Sequence, residues 1–544
     1  MKKPNVLSFL FLILMVSNKS AVAQSSKNEP TPTTQPNIIY FLVDDMGWQD
    51  CSVPFYKDRT PLNKKYHTPN MERLAAMGVK FTQAYANCVC TPSRVSLQTG
   101  MNAARHRVTN WTSFYENHPT DAKYPNLAMP EWNYNGLSPR PDTPHTVYAT
   151  TLAGLLKDNG YYTIHVGKAH FASYPTLGAN PKNLGFLVNI AGSAVGGPKS
   201  YLGTENFGNE KKGGYTPGAI PGLEKYHGEN IFLTEALTLE AKKALDTARQ
   251  MHKPFFLYMA QYAVHAQYKP DERFYPQYIK EGLGHEEAEY AALLQGMDKS
   301  LGDLLDYLEK YKLTKNTIIV FMSDNGGLTL VPPRGGKPFT HNLPLKAGKG
   351  SGYEGGVREP MMVYWPGVTK PNTTNDQYVM IEDFFPTLLE MAGVQHYKTI
   401  QQIDGKSMVP YLKNPLLRDT SRVLIWHFPN NWEEGFQRSK QYHIKGETEG
   451  MGPYSAIRKG SWKLMYFYGT GSIELYNLSN DIGEHFNLAA EYPKKTEELM
   501  TLLNQRLKAE NAQFPVNEKT GEVLYPKLSF QSHTMVSADK PAFN

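Results

Sequence analysis

Asn37-Ile38-Ile39-Tyr40-Phe41-Leu42-Val43 is an unbroken apolar run that stops on two carboxylates, Asp44-Asp45. Three later stretches repeat this grammar. Tyr162-Thr163-Ile164-His165-Val166 leads into Gly167-Lys168-Ala169-His170. Pro254-Phe255-Phe256-Leu257-Tyr258-Met259-Ala260 is followed closely by His265, and Thr317-Ile318-Ile319-Val320-Phe321-Met322 leads into Ser323-Asp324-Asn325-Gly326-Gly327. Short apolar runs rich in β-branched and aromatic residues are the pattern of strands buried on both faces, as in a mostly parallel sheet. In such sheets the ligand crevice lies at the carboxyl ends of the strands. Four runs that each deliver polar side chains at that end point to one shared site.

Between the runs lie helix-like stretches, at 71–78, 149–159, 234–250 and 286–312. Their alternation with the strands predicts an α/β fold: a large central sheet flanked by helices. The tail reads differently. A helix-like stretch at 383–393 precedes four short strand-like segments, 422–428, 455–458, 462–468 and 473–478, joined by glycine-containing turns. A helix follows at 496–509. The expected organisation is a catalytic domain over 37–414 and a smaller antiparallel α+β domain over 415–544. No internal repeat of fixed period is present.

The amino terminus reads as a secretion signal over 1–23: Lys2 and Lys3, an apolar run from Val6 to Val16, then Ala21-Val22-Ala23 as a small-residue cleavage site. The run is short for a membrane span. The Ser/Thr/Pro/Gln-rich segment 24–36 reads as a flexible leader. Loss of 1–23 removes Lys2, Lys3 and Lys19 and no acid, so the formal net charge falls from +6 to +3. That weak balance argues against nucleic acid as a partner, and the signal predicts a periplasmic or extracellular protein with no membrane span. Of 544 residues only Cys51, Cys88 and Cys90 are cysteines. So few, and an odd number, do not build a disulfide framework and leave at least one thiol without an intramolecular partner.

The segment Cys90-Thr91-Pro92-Ser93-Arg94-Val95-Ser96-Leu97-Gln98-Thr99-Gly100 accounts for that thiol. It resembles the hallmark of the type I sulfatases: Cys-x-Pro-x-Arg, then a leucine and a closing Thr/Ser-Gly. The resemblance extends along the chain. Asp44 to Trp48 is similar to that family's metal-binding opening, and Gly167 to His170 to its Gly-Lys-x-His segment, with Ala169 where an aromatic is common. Ser323 to Gly327, Leu345 to Gly350, Glu354 to Arg358, and Glu474 to Leu478 with Asn487-Leu488 also match. The resemblance implies an alkaline-phosphatase-like fold, a maturation enzyme that oxidises Cys90 to formylglycine, and hydrolysis of sulfate esters. Hydrated, the aldehyde is a geminal diol. One hydroxyl attacks sulfur and the alcohol leaves; deprotonation of the other then expels sulfate and restores the aldehyde.

The charges around Cys90 give the rest. Asp44, Asp45 and Asp324 would repel one another in one pocket without a cation. With the Asn325 amide and the Cys90-derived diol they form a hard oxygen set that suits Ca²⁺, with Mg²⁺ as the runner-up, better than zinc. Arg94 is expected to hold the diol and the metal-bound carboxylates, and Lys168 and Lys349 to bind the sulfate, whose transferred group carries spread negative charge. By resemblance His170 accepts the proton of the diol at release, and His265, with Lys349, protonates the departing alcohol. The 104–111 segment, which holds Arg105, His106, Arg107 and Trp111, and Trp426-His427 with Pro429 are candidates for a sugar pocket, with core packing an equal alternative for Trp111 and Trp426.

The leading substrate is a sulfated glycan, with a sulfated galactose or N-acetylgalactosamine as a family-level expectation. Two other functions use the same residues. One is a phosphonate or phosphate diester hydrolase with the same aldehyde and metal. The other is a sulfated-glycan-binding protein with an unmodified Cys90. A zinc phosphatase would need more metal-binding histidines at the strand ends than this chain offers.

Overall fold

All four apolar runs are strands, and they sit side by side in the middle of one nine-stranded sheet. The computed structural model describes Met1 and residues 35–210, 216–329, 341–432 and 451–528. The expected signal and leader fall outside these residues except for Met1, Gln35 and Pro36. Along the sheet the strands run Thr373–Asn375, Val79–Tyr85, Arg358–Tyr364, Thr317–Ser323, Asn37–Val43, Phe255–Ala260, Tyr162–Gly167 and Val188–Ile190, and Val379–Met380 also pairs with Val79–Tyr85. Asn37–Val43 pairs in parallel with both Thr317–Ser323 and Phe255–Ala260, and the latter pairs in parallel with Tyr162–Gly167. Arg358–Tyr364 alone of these runs antiparallel to its two neighbours.

The sequence runs are uniformly apolar because both faces of the sheet are covered. Ile39, Phe41 and Val43 enter one core with Leu257, Met259, Ile319 and Phe321. Ile38, Tyr40 and Leu42 enter the other with Phe256, Tyr258, Ile318 and Val320. Helices Pro69–Met77, Leu233–Gln250 and His285–Lys310 cover the first face; Cys90–Thr99, Leu152–Asp158 and Phe384–Met391 cover the second. Each fully buried aromatic contributes about 2–3 kcal/mol of transfer free energy, so truncating Phe41 would cost about 3–5 kcal/mol.

Register then builds the site. Val43 pairs with Ser323 and Gly167 with Ala260, so the residues that follow emerge along one edge of the sheet. These are Asp44, Asp324, Lys168 and the 261–265 turn.

Val423–Phe428, Tyr454–Lys459, Trp462–Phe467 and Ile473–Asn477 form a four-stranded antiparallel sheet. Helix Pro493–Ala509 packs Leu499, Leu503 and Leu507 on its outer face. Its inner face, with Leu424, Trp426, Ala456 and Met465, packs on Tyr85, Val89, Tyr353 and Tyr378. Buried among these layers, Lys463 bridges Glu354 (2.9 Å) and Glu484 (3.0 Å). Residues Pro36–Asn544 make one compact unit. No described helix is long and apolar enough to cross a membrane.

Candidate active site

Cys90 opens a helix, Cys90–Thr99, with Pro92 in its first turn and Gly100 closing it in the left-handed region at φ 69°. Proline is tolerated there because first-turn amides have no helical acceptor. The helix start also aims unpaired N–H groups and the positive end of the dipole at whatever Cys90 carries, which favours an anion. Every residue of this helix is buried, Arg94 completely.

Arg94 reaches the strand ends. Its Nε donates to Asp324 Oδ2 at 2.9 Å, its Nη2 lies 2.7 Å from the same oxygen in an ion pair, and Nη1 donates to the Lys168 carbonyl at 2.8 Å. Lys168 Nζ donates to Asp44 Oδ2 at 2.6 Å, and Lys349 Nζ to Asp45 Oδ2 at 2.8 Å. Asn325 Nδ2 donates to Asp45 Oδ1 at 2.7 Å. The Lys349 loop is tied to the nucleophile segment by the Gly350 amide, which donates to the Cys88 carbonyl at 2.7 Å. Two of the site residues hold left-handed backbone, Asp45 at φ 58° and His170 at φ 46°. Such conformations carry a cost for non-glycine residues and concentrate at functional sites.

Three carboxylates on so small a patch titrate unevenly. Burial raises Asp44, against the pull of Lys168. Burial and the neighbouring Asp44 push Asp324 up to about 6. Burial also acts to raise Asp45, but Lys349, His265 and Lys168 together hold it well below the usual carboxylate range. Burial raises the Cys90 thiol despite Lys168 and Lys349.

The donor set fits a hard metal ion. One carboxylate oxygen each from Asp44 and Asp324 and the Cys90 Sγ all lie within 4.8 Å of one another. Asp44 Oδ1 and Asn325 Oδ1 are buried with no hydrogen-bond partner. Orphaned buried oxygens of this kind are costly unless a cation or water satisfies them.

A cavity of about 370 Å³ is lined by Cys90, Lys349, His170 and His265. His170 Nε2–H donates to the Thr112 carbonyl at 2.9 Å, and its Nδ1 has no partner. The neutral ring therefore offers a lone pair, and burial, reinforced by Lys168, keeps it neutral far below its ordinary value. His265 Nδ1–H donates to the Ala266 carbonyl, and its Nε2 lies 3.8 Å from Asp45 Oδ2. Burial, then Lys349, hold its pKa at about 4.

Asp44, Asp45, Cys90, Arg94, Lys168, His170, His265, Asp324, Asn325 and Lys349 are thus all gathered at the same strand ends. The candidate sugar-contacting residues are not. Trp426 is buried under the small sheet with its indole N–H donating to the Ala86 carbonyl at 2.9 Å. His427 is held by Ser455 and the Gln513 carbonyl, both at 2.7 Å. Arg105 clamps Asp404, Arg107 donates to the Asn511 carbonyl, and His106 bonds Ser96 inside the core. Of that set only Trp111 lines the cavity.

Sequence reading missed four residues that shape it. Phe114 and Trp432 form apolar walls, and Gly196-Gly197 pass over the two histidines. A Cβ on Gly196 would sit 2.6 Å from His170 Cε1, and one on Gly197 would sit 2.6 Å from His265 Cε1. Gly196-Gly197 was visible in the sequence as a punctuating pair, but nothing local linked it to residues 170 and 265.

Known proteins share this architecture. The sequence model of the family described as Sulfatase matches residues 36–394, and that described as N-sulphoglucosamine sulphohydrolase, C-terminal, matches 348–513. A sulfatase of Formosa agariphila is 32% identical, over 93% of this chain and 95% of its own. The N-acetylgalactosamine-6-sulfatase of Mus musculus is 30% identical, over 85% of this chain and 84% of its own. The crystal structure of Ps i-CgsB superimposes with a TM-score of 0.65 at 26% identity, covering 87% of this chain and 93% of that one. Family, relatives and fold agree with the chemistry gathered at the strand ends: the chain belongs to the sulfatase family and is a sulfuric ester hydrolase.

Proposed function

We propose that the protein hydrolyses a sulfate ester on a galactose or N-acetylgalactosamine unit of a glycan, with Cys90 converted to formylglycine by a maturation enzyme. The observation that carries the mechanism is the placement of Cys90. It belongs both to a carboxylate cluster with orphaned oxygens and to the wall of a cavity bearing the Lys349 ammonium and two imidazoles. The carbohydrate reading rests on relatives. One is named an N-acetylgalactosamine-6-sulfatase, and the Ps i-CgsB fold has also been solved in complex with k-i-k-neocarrahexaose, at 25% identity to this chain.

In this reading Asp44, Asp45, Asp324, Asn325 and the Cys90-derived diol hold Ca²⁺. Bound there, the ion would supply positive charge that offsets the negative charge of the transferred group. Arg94 keeps Asp324 ionised and oriented and fixes the Lys168 backbone. Lys168 and Lys349 present their ammonium groups to the sulfate and stabilise charge that spreads as the S–O bond breaks. His265, held through Nδ1–H by the Ala266 carbonyl, turns Nε2 to the leaving oxygen; the bound anionic sulfate favours a proton on that nitrogen, which His265, with Lys349, passes to the departing alcohol. His170 accepts the diol proton on its unpartnered Nδ1 when sulfate is expelled. The signal over 1–23 would place this chemistry in the periplasm or outside the cell.

Turnover of paired substrates tests the assignment. Sulfated galactose or N-acetylgalactosamine is expected to be hydrolysed with a kcat/KM at least 10²-fold above that of a phosphate diester of the same leaving group, and Cys90→Ala is expected to lose the activity. Faster hydrolysis of the diester, or a fully active Cys90→Ala, contradicts it.

A further inference from the structure

His265 stands in a turn rather than on a regular element, so something must hold its backbone. The turn follows strand Phe255–Ala260 and is laced to the end of the neighbouring strand as far as Val264. The Asp44 amide donates to the Ala263 carbonyl at 2.9 Å, and the Val264 amide to the Asp44 carbonyl at 2.7 Å. His265 lies past this lacing. Its amide donates back to the Tyr262 carbonyl at 3.0 Å. Among the described residues only the Tyr201 hydroxyl donates to the His265 carbonyl, at 2.8 Å. The same hydroxyl donates to the Tyr262 carbonyl, also at 2.8 Å. One phenol thus closes both ends of the 262–265 turn.

Tyr201 is itself immobilised. It is fully buried, its ring stacks on Phe232 with centroids 5.5 Å apart and planes at 10°, and its carbonyl accepts from the Leu233 amide at 2.8 Å. Burial keeps the phenol protonated and able to donate. The chain just before it carries Gly197, where a Cβ would lie 2.6 Å from His265 Cε1. A single segment, 197–201, therefore meets His265 at its ring and at its backbone. The backbone contact reaches the ring in two steps. A peptide unit is planar, so fixing the His265 carbonyl fixes the unit that joins it to Ala266. The Ala266 carbonyl in turn accepts from His265 Nδ1–H. That bond sets the plane of the imidazole and the direction of Nε2.

We propose that Tyr201 is a positioning residue for the reaction: its buried hydroxyl holds the 262–265 turn so that His265 Nε2 meets the leaving oxygen. The proposal rests on the proton-donor reading of His265 above. Tyr201 is not on the wall of the cavity at Cys90, so it acts through His265 and touches no substrate.

The test is a double-mutant cycle on the full chain: wild type, Tyr201→Phe, His265→Gln and the double variant. The readout is kcat/KM per mole of aldehyde on phenyl sulfate and 4-nitrophenyl sulfate, two substrates of similar shape that differ in how much the leaving oxygen needs a proton. Tyr201→Phe removes one oxygen and keeps the ring on Phe232, and thermal unfolding checks that it folds. It is expected to lose about tenfold on phenyl sulfate, the cost of a displacement of about half an ångström, and less than about twofold on 4-nitrophenyl sulfate. In the His265→Gln background the same substitution is expected to cost less than about twofold on either substrate, because the group it positions is gone. A purely structural tyrosine would instead cost the same in both backgrounds and on both substrates. Tyr201→Phe within about twofold of wild type on phenyl sulfate, equal losses on the two substrates, or a loss that persists beside His265→Gln overturns the positioning role and leaves His265 as the donor. Equal losses on the two substrates for His265→Gln itself overturn both.

Discussion

Gly197→Ala is a single added methyl group aimed at one proposed proton donor. The new Cβ would lie 2.6 Å from His265 Cε1 and Nδ1, whereas ordinary contact begins near about 3.4 Å. The ring cannot swing aside freely, because its Nδ1–H is held by the Ala266 carbonyl. It must therefore retreat by about 0.8 Å, and misplacement on that scale costs about 10²-fold in rate, or about 2.7 kcal/mol of barrier. If His265 protonates the leaving oxygen, the loss depends on the leaving group. A sugar alkoxide needs the proton and should lose the full factor in kcat/KM, whereas 4-nitrophenolate leaves without help and should lose about tenfold less. Gly196→Ala provides the contrast, since its Cβ would press on His170 at the same 2.6 Å. A base for sulfate release is expected to slow both substrates alike in kcat. The assay is steady-state kinetics on the two substrates, with thermal unfolding to confirm that the variants fold. Gly197→Ala within threefold of wild type on the sugar sulfate, or equal losses on both leaving groups, would refute the role given to His265.

Three further outcomes are expected. Calcium should raise Tm in the wild type, by about 2.7 kcal/mol of stabilisation at a hundredfold excess over Kd, and Asp324→Asn should abolish most of that rise; an unchanged calcium response would remove Asp324 from the metal site. Away from the site, burial and then Asp383 push the Glu382 carboxyl up to about 8, with Oε2 unpartnered. An acid raised from its unfolded value of about 4.3 favours the folded state fully below that pH, and its contribution is lost as pH rises through 8, a swing of up to about 5 kcal/mol. Glu382→Gln, which keeps the acceptor for Asn102, should therefore match wild-type Tm near pH 5 and exceed it at pH 9; parallel Tm curves would contradict this. Lys463→Met leaves Glu354 and Glu484 buried without their shared cation and is expected to cost about 3–5 kcal/mol, measured by denaturant unfolding; a loss below 1 kcal/mol would mean the network is not coupled to folding.

The central sheet was legible because its strands are buried on both faces, so periodicity and composition agree. Asn37–Val43 and Thr317–Ser323 emerge within a residue of their sequence bounds. Three elements were not legible, each for a local reason. Arg358–Tyr364 begins with two charges and contains Pro360, yet it pairs on both sides around an irregularity between Glu359 and Met361. Val79–Tyr85 alternates buried and half-buried positions and carries Lys80 and Gln83. Cys90–Thr99 lacks an amphipathic stripe because every face of it is enclosed. In the site, Asp44, Asp324 and Lys168 were readable because each follows a strand, where position and chemistry coincide. The sugar-facing walls were not. Trp111 and Trp426 look alike in sequence, and only tertiary packing sends one to the cavity and the other beneath the small sheet. Gly196-Gly197 matter through the space they leave for residues distant in the chain, which no local pattern records.

The most direct test is the chemical state of Cys90 set against activity. Trypsin releases residues 81–94, a peptide that holds Cys88 and Cys90, so Cys88 serves as an internal control for the thiol. Protein made in hosts with graded levels of the maturation enzyme is digested, and the aldehyde fraction at position 90 is read by mass spectrometry beside sulfatase activity on the same samples. The expected result is an aldehyde at position 90 with an intact thiol at position 88, and specific activity proportional to the aldehyde fraction through the origin. Full activity in protein whose Cys90 remains a thiol would contradict the account.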